Sequence, residues 1–208
     1  MGFYNRYILP KLINCGCAAS SVSKQRAKVV PLAKGDVLEI GIGTGFNLPF
    51  YDEQQVKHLW GLEPVGNMLE QLEDKLRTSP LAFQVDLLES GAENIRLKDN
   101  SMDTIVMTYT LCSITQVAQA LSEMKRVLKP DGQLLFCEHG AAPDDGVLKW
   151  QNRINPIWKR IGGGCNLNRR IPDLIKEGGF EINNLQSMYI PGWKPACFNY
   201  WGKANLRQ

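Results

Sequence analysis

The chain has 208 residues, of which 44% are apolar and 22% are charged, with a formal net charge of +3 at pH 7. This length fits one domain, and the composition excludes disordered and fibrous proteins. No apolar run reaches the roughly 18 residues that a membrane-spanning helix needs.

Short apolar runs alternate with helical patterns along the middle of the chain, which predicts βαβ units and a parallel sheet. The predicted strands are, in chain order, 36–40, 58–62, 81–85, 103–109, 133–137, 180–189 and 196–202. Apolar residues at helical spacing predict helices near 47–57, 65–76, 117–128 and 171–177. The aromatic and glycine-rich region 143–172 is predicted to be an irregular cap or insertion.

The first predicted strand runs into a glycine-rich turn with the sequence VLEIGIGTG. Gly41, Gly43 and Gly45 stand where a strand turns into the next element. Glycine there lets the backbone approach a ligand closely and adopt a positive φ. The GxGxG spacing differs from the GxGxxG that is typical of dinucleotide sites.

Two carboxylates accompany this turn. Glu39 precedes the first glycine by two residues, where it would repel a pyrophosphate but could accept from an ammonium group. Glu63 ends the second predicted strand, where a carboxylate can accept hydrogen bonds from two ribose hydroxyls. The pattern favours a cofactor with a ribose, an ammonium group and no phosphate over a dinucleotide.

Four segments together resemble the class I S-adenosylmethionine-dependent methyltransferases, over at least residues 30–140. They are VLEIGIGTG, GLEPVGNML, SGAENIRLKDNSMDTIVMTYTLCSI and RVLKPDGQLLFCEHG. The resemblance implies an α/β fold, a Rossmann-like doubly wound sheet of seven mostly parallel strands. We expect a single methyltransferase domain over 1–208, with a basic N-terminal helical lid (1–35), a cofactor-binding core (36–140) and a small cap followed by the last two strands (141–208).

The resemblance also implies the cofactor, S-adenosylmethionine, and the residues around it. Glu63 would bind the ribose, and Met68 would pack on the adenine. Many relatives carry Asp before the Ala-Glu pair, whereas this chain has Gly91, so a backbone carbonyl, Asp86 or Glu89 could replace that contact. The implied cofactor residues are Glu39, Gly41, Gly43, Gly45, Glu63, Pro64, Met68, Ala92, Glu93, Thr108, Tyr109, Thr110 and Leu111.

The methyl acceptor must be held in line with the sulfonium methyl, so the protein mainly positions the nucleophile. His139 follows the fifth predicted strand, at the sheet edge where α/β folds bind ligands. It is the best candidate for a general base or an acceptor-orienting group, although a purely structural histidine is equally compatible. His58 lies at the opposite end of the sheet and is expected to be structural.

The segments LCSI, EHG, Trp150–Trp158 and GGGCNLNR resemble a narrower group, which includes the membrane-associated alkyl thiol S-methyltransferases of animals and their bacterial relatives. The resemblance favours a thiol acceptor. Cys112, Cys165, Trp150 and Trp158 could line the acceptor pocket, or they could simply be buried apolar residues and cap core.

The six cysteines, at 15, 17, 112, 137, 165 and 197, include no CxxC pair. With only two histidines in the chain, we expect neither a disulfide framework nor a metal site.

Charge is unevenly distributed. Residues 1–35 contain six Lys or Arg and no acidic residue, residues 36–147 carry a net charge of −10, and residues 148–208 carry +7. Apolar and basic residues mixed within 3–13 suit a helix at a membrane surface, and a lid over the pocket is the alternative. Because Pro10, Lys11 and Asn14 interrupt the run that a signal peptide would need, we expect a cytoplasmic protein, with peripheral contact to anionic membrane as a hypothesis.

The leading prediction is a methyltransferase acting on a small, fairly apolar acceptor, with a thiol first. Methylation of a phospholipid or quinone at a membrane is the main alternative. An NAD(P)-dependent oxidoreductase and a non-catalytic adenosylmethionine-binding module remain as others. Nucleic acid is not an expected partner, because the base-methylation motif and interleaved basic and aromatic residues are both missing.

Overall fold

A computed structural model describes residues 19–207, so the amphipathic helix expected over 3–13 lies outside the described part. The helices are α1 (Ser20–Arg26), α2 (Gly66–Thr78), α3 (Val117–Val127), α4 (Asp145–Ile161) and α5 (Ile171–Glu177). The strands are β1 (Gly35–Ile40), β2 (Val56–Leu62), β3 (Gln84–Leu88), β4 (Met102–Thr108), β5 (Leu128–His139), β6 (Phe180–Tyr189) and β7 (Phe198–Leu206). Single 3₁₀ turns lie at Val30–Leu32, Leu48–Phe50 and Lys194–Ala196.

The seven strands form one sheet in the order β3-β2-β1-β4-β5-β7-β6. The first five strands pair in parallel, whereas β7 is antiparallel to both β5 and β6. The order reverses between β1 and β4, and in open α/β sheets ligands bind at the carboxyl ends of the strands beside such a reversal. The expected Rossmann-like, seven-stranded, mostly parallel sheet is confirmed.

Apolar side chains cover both faces of the sheet. The central strands β1, β4 and β5 are buried on both sides, as helices on the two faces of a parallel sheet require. On one face, α3 contributes Leu121 and Met124 to a core cluster that includes Phe136. On the other face, α2 contributes Leu69 and Leu72.

Three predicted elements differ from the structure. The helix expected near 47–57 is wrong, since only the 3₁₀ turn at Leu48–Phe50 forms there and Pro49 lies within it. The third strand lies at Gln84–Leu88, three residues later than predicted, in register with β2. The region 143–172 is not irregular: it contains the 17-residue helix α4, which ends before the positive-φ residues Gly163 and Gly164.

The described part of the N-terminal segment enters the fold through α1. Its last residue, Arg26, is buried although it is charged. Within residues 19–207, no helix is both long enough and apolar enough to cross a membrane.

Candidate active site

A cavity of about 470 Å³ opens at the carboxyl ends of β1, β2 and β4. Its position matches the reversal of strand order, where this class of sheet binds ligands. The lining residues named by the sequence analysis are Gly41, Gly43, Glu63, Pro64, Met68, Ala92, Glu93, Thr108, Tyr109 and Thr110. The wall also contains Arg26, Thr44, Phe46, Gly91, Ser113 and Gly163, which the sequence analysis did not select.

The three glycines of the loop have positive φ values for different reasons. A Cβ on Gly41 (φ +67°) would lie 2.5 Å from Thr110 Oγ1, and one on Gly45 (φ +77°) would lie 2.6 Å from Leu72 Cδ1. A Cβ on Gly43 (φ +56°) would have no neighbour nearer than 4.0 Å, and Gly43 lines the cavity. Gly41 and Gly45 therefore allow close packing within the protein, whereas Gly43 leaves space for a ligand.

Glu63 follows β2 directly and forms part of the cavity wall. Its carboxylate accepts hydrogen bonds from the backbone N–H of Gly43 at 3.2 Å and of Val65 at 3.1 Å. Burial raises the pKa of Glu63, and these two N–H groups partly oppose the shift. The bonds fix the carboxylate between the glycine loop and the start of α2.

Glu39 does not line the cavity, which corrects the expectation that it faces an ammonium group. It is buried behind the loop, where Tyr51 Oη donates to it at 2.6 Å and Asn47 Nδ2 at 2.9 Å. Burial raises the pKa of Glu39 to about 7. Its role in this structure is to hold the loop from below. Gly45 and Leu111 likewise lie outside the cavity wall.

Arg26 is the main residue of the cavity wall that sequence reasoning missed. Its Nη1 donates to Asn47 Oδ1 at 2.8 Å and to Thr108 Oγ1, while its buried Nε has no partner among the described residues. The guanidinium carbon lies 5.1 Å from the centre of the Tyr109 ring. In the sequence, Arg26 is a single arginine shortly before the apolar pair Val29-Val30. This pattern does not distinguish a buried arginine from a surface one.

Gly91, Ala92 and Glu93 form the part of the wall expected to contact an adenine. Asp86, one of the proposed substitutes for the missing aspartate, instead pairs with His58 Nε2 at 2.9 Å. Neither Asp86 nor Glu89 lines the cavity. His58 also stacks on Trp60, with ring centroids 3.6 Å apart, as a structural histidine would.

Beyond the cavity wall, three side chains from distant parts of the chain meet. We call Cys112, His139 and Cys165 the Cys/His cluster; one ligand-type atom of each lies within 4.8 Å of the other two. His139 Nε2 is 3.2 Å from Cys165 Sγ, and Trp158 Nε1 donates to the same sulfur at 3.4 Å. Cys112 and Cys165, two of the four side chains expected in an acceptor pocket, thus lie close to His139, and a third, Trp158, contacts Cys165.

Trp150, the fourth, lies elsewhere. It is 59% exposed on α4, and its place in an acceptor pocket stays a prediction. The helix turns Trp158 towards the Cys/His cluster and Trp150 towards solvent.

The side chains of the Cys/His cluster shift one another's pKa values. Contact with Cys112, His139 and the Trp158 N–H lowers the pKa of Cys165, against the effect of burial. Contact with Cys165 and burial raise the pKa of Cys112, whose Sγ donates to Tyr109 O at 3.8 Å. Burial opposes protonation of His139, but contact with Cys165 outweighs it and raises the pKa of His139. The arrangement can hold a thiolate beside a proton-carrying imidazole.

Hydrogen bonds join the loops that carry these side chains. Asn166 donates to Cys112 O through its backbone N and its Nδ2, both at 2.9 Å. Arg169 donates to the carbonyls of Leu111 and Ile114, on either side of Cys112. Such long-range polar contacts have no local signature in the sequence.

Comparisons with known proteins point to one family. A family profile described as a methyltransferase domain matches residues 38–136. Thiol S-methyltransferase TMT1B of Rattus norvegicus is 34% identical over 171 residues, which cover 81% of this chain and 69% of that relative. The ubiquinone/menaquinone biosynthesis C-methyltransferase UbiE of Ruegeria sp. (strain TM1040) is 29% identical over 183 residues, covering 76% of this chain and 73% of the relative.

Among solved structures, a SAM-dependent methyltransferase from Thermotoga maritima has the same fold, with a TM-score of 0.66 at 20% identity over 99% of this chain and 98% of that one. The expected resemblance is confirmed. The chain therefore belongs to the class I S-adenosylmethionine-dependent methyltransferases, and S-adenosylmethionine is its cofactor.

Proposed function

We propose that this enzyme transfers the methyl group of S-adenosylmethionine to the thiol of a small, fairly apolar acceptor. The observation that carries the proposal is the Cys/His cluster beside the cavity, because Cys112 adjoins the wall residue Ser113 and Cys165 lies two residues from the wall residue Gly163. Similarity to a thiol S-methyltransferase over 81% of the chain supports the same acceptor class.

The residues of the cavity fit the cofactor group by group. The Glu63 carboxylate would accept from the ribose hydroxyls, and the buried Arg26 cation, with its unpartnered Nε, would bind the methionine carboxylate. Met68 and Ala92 would contact the adenine, and Gly43 leaves room for the ligand. Thr108, Tyr109 and Thr110 would lie beside the methionine portion, as in the family.

S-adenosylmethionine, when bound, supplies an electrophilic methyl group on a positively charged sulfur. The acceptor thiol must lose its proton, since its reference pKa is about 8.5 and the thiolate is the nucleophile. Its sulfur would then bond to the methyl carbon, with the thiol proton passing to His139 or to solvent and the electron pair of the broken carbon–sulfur bond leaving with S-adenosylhomocysteine. We propose that His139 acts on the acceptor at this step, as a base or by orienting the sulfur.

The test compares an alkyl thiol with the alcohol of the same carbon skeleton, each incubated with S-adenosylmethionine and the purified enzyme. We expect mass spectrometry to detect the methyl thioether and no methyl ether. The two histidines provide a matched pair of variants: His139→Gln should remove most turnover, and His58→Gln should retain it. Equal activity on the alcohol, or no thioether from any small alkyl or aryl thiol, would refute a thiol acceptor.

Methylation of a quinone or phospholipid at a membrane surface is the second candidate function. One face of α4 exposes Trp150, Ile157 and Ile161, spaced at seven and four residues, which favours it. Basic side chains lie beside them at Lys149, Arg153, Lys159 and Arg160. An amphipathic helix of this kind suits peripheral contact of a cytoplasmic enzyme with anionic lipid.

Co-sedimentation with liposomes containing anionic lipid tests this candidate. We expect binding at low salt that weakens at high salt and in the variant Ile157→Ser. Leu185→Ser, a change at another exposed apolar residue, serves as the control. Absence of binding even at low salt would remove the membrane-borne substrates from consideration.

A further inference from the structure

The Cys/His cluster has the composition of a metal site, which the spacing of cysteines along the sequence did not predict. Two thiols and one imidazole place their ligand atoms within 4.8 Å of one another. Three protein ligands with a free fourth position are typical of catalytic zinc sites, whereas structural zinc sites use four.

The distance between Cys165 and His139 is close to that of a tetrahedral site. Zinc lies about 2.3 Å from a cysteine sulfur and about 2.0–2.1 Å from a histidine nitrogen, so a sulfur and a nitrogen bound to one ion are roughly 3.5 Å apart. The separation between Cys165 Sγ and His139 Nε2 is 3.2 Å. This pair of ligand atoms is therefore already near the spacing that one ion requires, and Cys112 Sγ lies within 4.8 Å of both.

The surroundings hold the ligands in place. Cys112 follows β4, His139 ends β5, and Cys165 follows α4, so each side chain belongs to a different element of one carboxyl edge. The bonds from Asn166 to Cys112 O fix two of these loops to each other. Trp158 Nε1 donates to Cys165 Sγ, the type of outer contact that orients a metal-bound thiolate.

We propose that Cys112, His139 and Cys165 bind a zinc-class divalent cation, with the fourth coordination position left for the sulfur of the acceptor. Two cysteine thiolates balance the charge of such an ion, so the site is neutral before the acceptor arrives. Soft thiolate ligands select zinc over magnesium or calcium, which prefer oxygen.

The part played by the metal in catalysis rests on the proposed thiol acceptor. On coordination, the acceptor S–H proton passes to solvent and the sulfur remains as a thiolate at neutral pH. A sulfur lone pair then forms the bond to the methyl carbon, and the neutral thioether that results is a weak ligand and dissociates. His139 is thereby assigned as a ligand that orients the acceptor through the metal rather than as a general base.

Metal content tests the site without depending on activity. The full chain is expressed in medium supplemented with zinc and purified without chelator. Bound metal is then measured by inductively coupled plasma mass spectrometry. We expect about one zinc per chain, reduced at least about tenfold in Cys112→Ser, Cys165→Ser and His139→Gln. Cys197→Ser, a cysteine outside the cluster, should retain the wild-type content.

Cobalt(II) provides a second readout that a folding defect cannot imitate. Cobalt added to chelator-treated wild-type enzyme should give the absorption bands of a tetrahedral thiolate site, and these should be lost in Cys165→Ser with an unchanged circular dichroism spectrum. Sub-stoichiometric zinc together with no cobalt spectrum in the wild type would overturn the site.

Methylation assays on the same samples separate this proposal from the proposed function. Full thiol methylation by metal-free wild-type enzyme would overturn the catalytic role of the metal and leave the thiol acceptor intact. Stoichiometric zinc without methylation of any thiol would uphold the site and remove the acceptor.

Discussion

The two sides of the active site are built in different ways. The core of the cofactor half, Gly41, Gly43 and Glu63, follows the neighbouring strands β1 and β2 and spans 23 residues of sequence. The proposed acceptor half is the Cys/His cluster, whose members follow β4, end β5 and follow α4, and which spans residues 112–165. A site formed by the turns after two consecutive strands can be located from the sequence. A site whose residues meet only through the order of strands in the sheet can be located only once the fold is known.

The largest effect expected in the cofactor half follows from removing Glu63. Glu63→Ala should weaken S-adenosylmethionine binding by at least about 100-fold, because each hydrogen bond to a charged group contributes roughly 1.5–3 kcal/mol and the ribose offers two hydroxyls. Isothermal titration measures the loss. Glu70→Ala, at an exposed carboxylate on α2, is the control, and equal affinity in both variants would remove Glu63 from the cofactor site.

The glycine loop allows a sharper separation between packing and ligand binding. Gly41→Ala should reduce the free energy of unfolding by about 2–3 kcal/mol, since a left-handed φ costs a side chain roughly 1–2 kcal/mol and the new Cβ meets Thr110. For a chain of this size, each kcal/mol lowers Tm by roughly 2–4 °C. Gly43→Ala carries the same backbone cost without the contact, so it should lower Tm less but still weaken cofactor binding. Similar Tm values for the two variants would contradict this division.

A smaller effect is expected from Glu39, which holds the loop from behind. Its pKa is about 7 in the folded chain, against 4.5 for an unperturbed glutamate, so the folded state binds the proton more tightly. The free energy of unfolding should therefore fall as pH rises from 5 to 7, by about 2 kcal/mol at 1.36 kcal/mol per pKa unit. Burial also raises the pKa of Glu138 to about 7, so part of the pH dependence remains when Glu39 is replaced. Denaturant titrations of Glu39→Gln should lose about 2 kcal/mol of the wild-type decrease between pH 5 and 7, and those of Glu53→Gln, at an exposed site, should keep all of it. Parallel pH profiles for wild type and Glu39→Gln would contradict the assignment.

Sequence patterns predicted the parallel sheet and located Glu63, because buried strands and a strand-to-helix turn leave local signatures. They did not predict α4, because its polar residues, the internal Pro156 and the exposed Trp150 interrupt the helical spacing of apolar residues. Arg26 was missed since its burial depends on Asn47 and Thr108, which are distant in sequence. His139, Cys112 and Cys165 were each selected separately, but their contact follows from the placement of β4, β5 and α4.

The most direct test of the two-part site measures cofactor affinity and methyl transfer in Cys165→Ser beside Glu63→Ala. The account predicts that Cys165→Ser binds S-adenosylmethionine within about twofold of wild type yet loses most thiol methylation, since Cys165 does not line the cofactor cavity. Glu63→Ala should lose affinity for the cofactor. A loss of cofactor affinity in Cys165→Ser as large as that in Glu63→Ala would contradict the separation of the two halves.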